Sequence, residues 1–421
     1  MNSPDLTSRA GLNILMVAPQ PFFRPRGTPF SVLHRIRAMT ALGHKVHLIT
    51  YPLGDDVAMP GLTIQRSARV PFVKDVIIGP SIGKLLLDVP MVFATLNALR
   101  SRKFDLVHSH EEAAFFCAPL ARRYGALHVY DMHSSLPQQL ANFGAFNFGF
   151  IRNAFRRLEH YVLQASDGVI TICKELADIA TEVCPQTPHA MIENTGDDSN
   201  VFTSAAGDVR ARLGLTDRDI VLYTGTFEHY QGLDLLLDAW VSVAARNPRA
   251  HLLMVGGAPE QVRAHEAKAA ALNLADRVTF VGQVHPSLIP SHVAASDVIV
   301  SPRSRGTNTP LKIYGYLRSG KPIVATNLPT HTQTLNSSVA ELVEPTAASL
   351  ADGLVRVLGD KGYAAQLAAA ARVLSDDQYS DAAYMRRVDT FFAAVLANAR
   401  RSVVPARAQP TSDNRKYESQ P

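Results

Sequence analysis

Along this 421-residue chain, short apolar runs alternate with longer stretches in which apolar residues recur at helical spacing. The runs predict buried strands and the spaced stretches predict helices packed on one face. In the first half, strands are expected at 13–18 (NILMVA), 46–51, 105–108, 127–131 and 168–172, with helices at 30–42, 112–123 and 155–165. The alternation restarts with strands at 219–223, 250–255, 278–281, 298–301 and 322–325 and a helix at 232–246. Between the halves, IENTGDDSNVF (192–202) reads as a linker. After 347 the chain is Ala-rich and helical to about 400. Such alternation implies parallel sheets covered on both faces. The expected class is therefore α/β, with two Rossmann-like doubly wound domains facing across a cleft. The expected division is 1–195, 196–380, a helix at 381–400 packing back on the first domain, and a disordered tail at 401–421 rich in Pro, Ser, Arg and Gln. Doubly wound sheets place ligands beyond the carboxyl ends of their strands.

One stretch carries the chemistry most openly: SPRSRGTNTPLKIYGYLRSGKPIVAT, 301–326. It reads as a strand end, a polar loop, a helix and a second strand. Thr309 fits an N-cap and Pro310 the first helical turn, and Gly320 fits the helix exit. A helix start exposes backbone N–H groups and partial positive charge, so it attracts phosphate. Arg303 and Arg305 precede it and Lys312 lies in its first turn.

Composition narrows the class. With 47% hydrophobic and 19% charged residues the chain is a folded globular protein, and its length calls for two domains of about 150–200 residues. A net charge of +5 and a pI of 9.1 suit either a basic enzyme surface or attraction to anionic lipid or substrate. Cys117, Cys173 and Cys184 have no metal-type spacing and point to a reducing compartment. The polar start predicts no signal peptide. The most apolar stretch, 85–99, is interrupted by Asp88, Pro90 and Asn97, so no membrane span is expected and the location is cytoplasmic. The absence of G-x-G-x-x-G, of a P-loop and of a G-x-S-x-G elbow speaks against dinucleotide, P-loop and α/β-hydrolase chemistry. His108-Ser109-His110-Glu111-Glu112 invites a metal reading, but no Cys or Asp completes a known spacing. A polar strand end at the cleft is preferred, and no metal or cofactor is expected.

The ordered segments resemble glycosyltransferase family 4, of GT-B architecture, from about 13 to 397. The resemblance rests on NILMVAPQPFFRPRGTPFSVLHRIRAMTALGHKVHLIT, DLVHSHEEAAFFCAPLARRYGALHVYDMHSSLP, LYTGTFEHYQGLDLLLDAW, LLMVGG, VTFVGQVHPSLIPSHVAASDVIVSPR and SGKPIVAT, in that order. It implies retaining transfer of a sugar from a nucleoside diphosphate sugar, usually without metal, to a glycan or lipid-linked acceptor in cell-envelope or exopolysaccharide biosynthesis.

Carried over by residue, the resemblance implies that His133 contacts the donor sugar near the reacting carbon. It implies donor-loop roles for Gly27 and Thr28, beside Arg24 and Arg26, and for Gly225 and Thr226. Gln283 and Val284 match positions whose backbone meets the base. Arg303, Thr307, Asn308, Thr309 and Lys312 form the diphosphate side, with Arg305 stabilising the leaving group. His110 and Glu111 fall on the acceptor side. The chain departs from the family pattern twice. Thr226 and Gln231 stand where the family carries Arg and Lys, and Thr307 and Gly315 stand where it carries a Glu-x7-Glu pair. These losses leave two readings: an active transferase, or a non-catalytic relative that binds a sugar nucleotide or glycan. Lys74, Lys84, Arg100, Arg102, Lys103, Arg122, Arg123, Arg152, Arg156 and Arg157 lie among apolar helices, with 80–99 and 148–163 fitting either an anionic membrane surface or a solvated face. No nucleic acid partner is expected.

Overall fold

The computed structural model describes residues 11–23, 27–71, 73, 76, 82–135, 137, 149–193, 206–306 and 309–403. The expected alternation folds into two parallel sheets. The first contains β1 (Asn13–Ala18), β2 (Lys45–Thr50), β3 (Leu62–Arg66), β4 (Leu106–His110), β5 (Leu127–Met132), β6 (Gly168–Thr171) and β7 (His189–Met191). Their order is β3-β2-β1-β4-β5-β6-β7. The second contains β8 (Asp219–Thr224), β9 (Ala250–Val255), β10 (Val278–Gly282), β11 (Val298–Ser301), β12 (Ile323–Thr326) and β13 (Glu341–Val343), ordered β10-β9-β8-β11-β12-β13. The apolar runs become strands because both faces are covered: Ile14, Leu15, Met16 and Val17 are all fully buried.

Among the described residues, the first sheet is wrapped by α1 (Gly27–Ala41), α2 (Ile82–Ser101), α3 (Ala114–Tyr124), α4 (Gly149–Ala165) and α5 (Lys174–Val183). The second carries α6 (Ala206–Arg212), α7 (Leu233–Arg246), α8 (Pro259–Ala271), α9 (Ile289–Ala295), α10 (Lys312–Arg318), α11 (Pro329–Thr332), α12 (Ala347–Gly359) and α13 (Lys361–Gln378). The strand order reverses direction between β1 and β4 and again between β8 and β11. Those are the positions where such sheets open a crevice for ligands.

The last helix, α14 (Asp381–Val403), returns to the first domain. Tyr384, Val388, Phe391, Phe392 and Val395 join the core built on α1 and β1. The helix runs to Val403, so the expected tail at 401–421 begins late; its last turn carries Arg400 and Arg401, which suit the negative end of the helix dipole. Residues 404–421 lie outside the described residues, as does 194–202 of the expected linker. Several elements escaped the sequence pattern, β3 and α2 among them. Strand β3 is short and half-buried, and α2 continues through Pro90 as one 20-residue helix.

The seat of α14 is tight. A Cβ at Gly168, at the start of β6, would lie 2.5 Å from Val395 Cγ2 and 2.8 Å from Phe391 Cζ. We expect Gly168→Val to cost about 1–3 kcal/mol by overpacking, read as a lowered midpoint in chemical denaturation. Wild-type stability in that variant would mean that α14 is not seated there.

Candidate active site

The two crevices gather most of the residues expected from sequence. In the first domain, β4 and β5 run side by side with His110 paired to Asp131 in register. Side chains two apart on a strand share a face, so His108 and His110 meet Asp131 and His133. All four are buried. Asp131 Oδ2 accepts hydrogen bonds from Arg35 Nε at 2.8 Å and His108 Nε2 at 3.0 Å. His133 Nε2 lies 2.9 Å from His110 Nδ1 and 3.4 Å from Asp131 Oδ1, and the two rings stack with centroids 5.1 Å apart.

Burial alone would raise the Asp131 carboxyl, but the Arg35 charge, together with the histidines, holds it well below the usual range. Burial lowers His108, and His110 still further, so both rings are neutral. Arg35 in turn lies over the Tyr384 ring of α14, 5.3 Å from its centroid. His108, His110 and Asp131 offer three ligand-type atoms within 4.8 Å of one another. Arg35 already supplies the positive charge that Asp131 needs, and His108 donates to it, so the cluster is a hydrogen-bonded network in its own right.

His110, expected on the acceptor side, is fully buried with its Nδ1 against His133 Nε2. Glu111 follows it and is half-buried. It adopts a positive φ of 48° and accepts a hydrogen bond from Thr28 Oγ1 at 3.3 Å, tying the β4 end to the start of α1, where Gly27 is the first residue. Lys84 of α2 reaches Glu111 at 3.8 Å and Glu112 at 3.6 Å. Burial and the neighbouring Glu111 charge push Glu112 up to about 8. Arg24 and Arg26 lie outside the described residues.

In the second domain, the β8 and β11 ends interlock. A Cβ at Gly232 would stand 1.9 Å from the Pro302 carbonyl oxygen, and Ser304 N donates to the Tyr230 carbonyl at 3.1 Å. Gly225 has φ 138° and closes on Gly256, whose Cβ would lie 1.9 Å from the Gly225 oxygen. The Thr226 carbonyl accepts from Tyr223 Oη at 2.7 Å, and its hydroxyl from Gln231 Nε2 at 3.4 Å. Lys312 Nζ points back into this loop. It donates to the Thr224 carbonyl at 3.0 Å and sits over the Tyr223 ring at 4.0 Å. Burial and then the Arg303 charge hold its amine well below the ordinary range. Among the described residues no carboxylate pairs with it. Arg303 lies over the Tyr230 ring at 5.2 Å and donates to Thr330 Oγ1 at 2.9 Å. Arg305 is exposed.

Thr309 is not an N-cap. Its hydroxyl meets Thr334 Oγ1 at 3.1 Å, and α10 opens at Lys312 behind a helical Leu311 with no side-chain cap. The tight turn Ile313 N to Pro310 O, 2.9 Å, takes the place of a capped start. Lys312 thus heads α10 and reaches back to the end of β8. Gln283 and Val284 follow β10, with Val284 packed into the domain core. Thr307 and Asn308 lie outside the described residues. Sequence reasoning missed Arg35, Asp131, Tyr384, Tyr223 and Tyr230. Only Asp131 had a signal, two positions before His133 on one strand face.

Two family models match the chain. "Glycosyl transferase 4-like domain" matches residues 26–195 and "Glycosyl transferases group 1" matches 218–360. The chain belongs to glycosyltransferase family 4. Phosphatidyl-myo-inositol mannosyltransferase of Mycobacterium tuberculosis is 27% identical over 358 residues, covering 82% of this chain and 88% of that relative. A GDP-mannose-dependent alpha-(1-6)-phosphatidylinositol monomannoside mannosyltransferase of the same organism is 30% identical over 181 residues, 40% of this chain and 46% of its own. HepE of Anabaena in complex with UDP superposes with a TM-score of 0.72 at 18% identity, covering 91% of this chain and 100% of that one. Sucrose-phosphate synthase of Thermosynechococcus elongatus gives 0.72 at 20% identity, covering 91% and 99%. The fold of this family 4 member is GT-B, and the protein is a glycosyltransferase of hexosyltransferase type.

Proposed function

We propose that the enzyme transfers a sugar, with retention of configuration and without a metal, from a nucleoside diphosphate sugar to a glycan or lipid-linked acceptor in cell-envelope or exopolysaccharide biosynthesis. The observation that carries this is Lys312: a shut-in amine beside Arg303 that donates to the Thr224 carbonyl, with no protein carboxylate beside it among the described residues. Its charged form is disfavoured by burial and favoured by an anionic ligand, and a diphosphate leaving group supplies that charge. Relatives support the chemistry: one is GDP-mannose-dependent by name, and a structural neighbour was solved with UDP-glucose. His133 then meets the donor sugar, Thr28 lies on the donor loop, and Glu111, hydrogen-bonded to it, lines the acceptor side.

The acceptor is reached along a membrane in this reading. No helix among the described residues is long and apolar enough to cross one. Yet α2 is apolar on its exposed as well as its buried side: Leu87 and Met91 are buried, while Leu85, Leu86, Val89 and Phe93 are 49–67% exposed. Those four fall within about 100° of the helix circumference. Lys84, on the same helix, contacts the acceptor-side glutamates, and Arg100, Arg102 and Lys103 follow at its far end. We propose that this face rests on an anionic cytoplasmic membrane surface.

Two experiments test these readings. UDP and GDP binding is expected to strengthen as pH falls from 10 towards neutrality, because the diphosphate favours the ammonium form of an amine whose pKa lies below 10.5 when free. Lys312→Met should abolish that slope and weaken binding about tenfold to a hundredfold, and Arg305→Ala should weaken binding and turnover. His133→Ala should nearly abolish transfer from UDP-glucose or GDP-mannose, whichever the enzyme uses. A pH-independent affinity shared by the wild type and Lys312→Met would refute the diphosphate site. For the membrane, co-sedimentation with phosphatidylglycerol vesicles is expected at low salt and should be lost in Leu86→Ser/Phe93→Ser. No pelleting of the wild type at low salt rejects the membrane face.

A further inference from the structure

The buried network under His133 has a use beyond filling the domain core. We propose that Asp131 is the positioning residue for His133, held in place by Arg35 and Tyr384, so that the enzyme's last helix forms part of the transfer site. This rests on the reading of His133 as the residue that meets the donor sugar.

The argument starts from proton placement. An ionised carboxylate only accepts hydrogen bonds, so a ring nitrogen turned towards it carries the proton. His133 Nε2 is 3.4 Å from Asp131 Oδ1, while His110 Nδ1 is 3.8 Å from Asp131 Oδ2. The carboxylate therefore favours the proton on His133 Nε2, which donates towards Asp131 and to His110 Nδ1 at 2.9 Å. With that proton on Nε2, the lone pair falls on Nδ1, the nitrogen fit to accept from a sugar hydroxyl. The tautomer is set by the bond made at the other nitrogen.

Asp131 does this only if it stays charged and fixed. Arg35 Nε at 2.8 Å and Nη2 at 3.5 Å bracket both of its oxygens, and His108 Nε2 holds Oδ2 from the next strand. Arg35 is 2% exposed and its guanidinium lies over Tyr384, while Phe392 of the same helix faces the His108 ring at 6.4 Å. The line from Tyr384 through Arg35 and Asp131 to His133 thus joins the end of the chain to its reactive face. Pairing a fully buried charge from three directions exceeds what packing alone requires; a hydrophobic replacement of similar volume is often as stable.

Nitrogen-15 correlation spectra of the histidine rings test this in the full chain, with His133→Gln assigning the signal. The expected result is His133 as the Nε2–H tautomer in the wild type. Asp131→Asn should move it towards Nδ1–H and lower kcat about a hundredfold with KM for the nucleotide sugar changed far less. If Asp131→Asn does not fold, Tyr384→Leu leaves the buried charges in place and should shift the same ring signals, with a severalfold loss in kcat. His133 found as Nδ1–H in the wild type overturns the proposal. So does a wild-type tautomer that survives the foldable variants unchanged. The spectra need no donor, so failure of the nucleotide-sugar reading would show separately, as a wild type that transfers from neither UDP-glucose nor GDP-mannose.

Discussion

The arrangement of the first domain turns on one buried anion. Asp131 is fully buried at the end of a central strand, and an ionised carboxylate there is tolerable only when paired and hydrogen-bonded. Arg35 must come from α1, His108 from β4 and His133 from the turn after β5 to satisfy it. That demand fixes the register of β4 against β5, which sets His110 opposite Asp131. It also explains why α14 crosses back: Arg35 is itself buried and needs a surface on which to lie, which Tyr384 provides.

The two crevices solve opposite electrostatic problems. In the first, charge is neutralised from within, with a carboxylate and a guanidinium locked together beside neutral imidazoles. In the second, Lys312 and Arg303 rest on the rings of Tyr223 and Tyr230, which soften a positive charge without cancelling it. Glu193, where the chain leaves the first domain, is met by Thr334 at 3.4 Å and by Arg387 of α14 at 3.7 Å, so both crossings between domains share one carboxylate.

Most of the architecture was legible because parallel strands buried on both faces must be apolar throughout, and β1, β9 and β11 read that way at once. Strand β3 was not, since LTIQR is half-buried at a sheet edge and carries no clear period. The run at 85–99, broken as a membrane span by Asp88, Pro90 and Asn97, lies within α2, where Asp88 accepts a 2.7 Å bond from Tyr51 Oη. The site was half legible. Strand-end position singled out His133 and Gly225, but Thr309 looked like a cap because the competing hydroxyl of Thr334 lies 25 residues away in sequence. Arg35 and Tyr384 were invisible for the same reason: 96 residues separate Arg35 from Asp131, and only the fold brings them together.

The β8 loop carries the neutral Thr226 and Gln231, and α10 carries Gly315 three residues after Lys312. A glutamate there would stand one helical turn beyond Lys312, the spacing at which opposite charges pair on a helix. A Cβ at Gly315 would meet nothing within 4 Å, so packing does not demand the glycine. Without the glutamate, Lys312 turns to the Thr224 carbonyl and the Tyr223 ring. With no carboxylate at 315, the first residue of α10 is tied to the end of β8, which links the helix directly to the neighbouring strand.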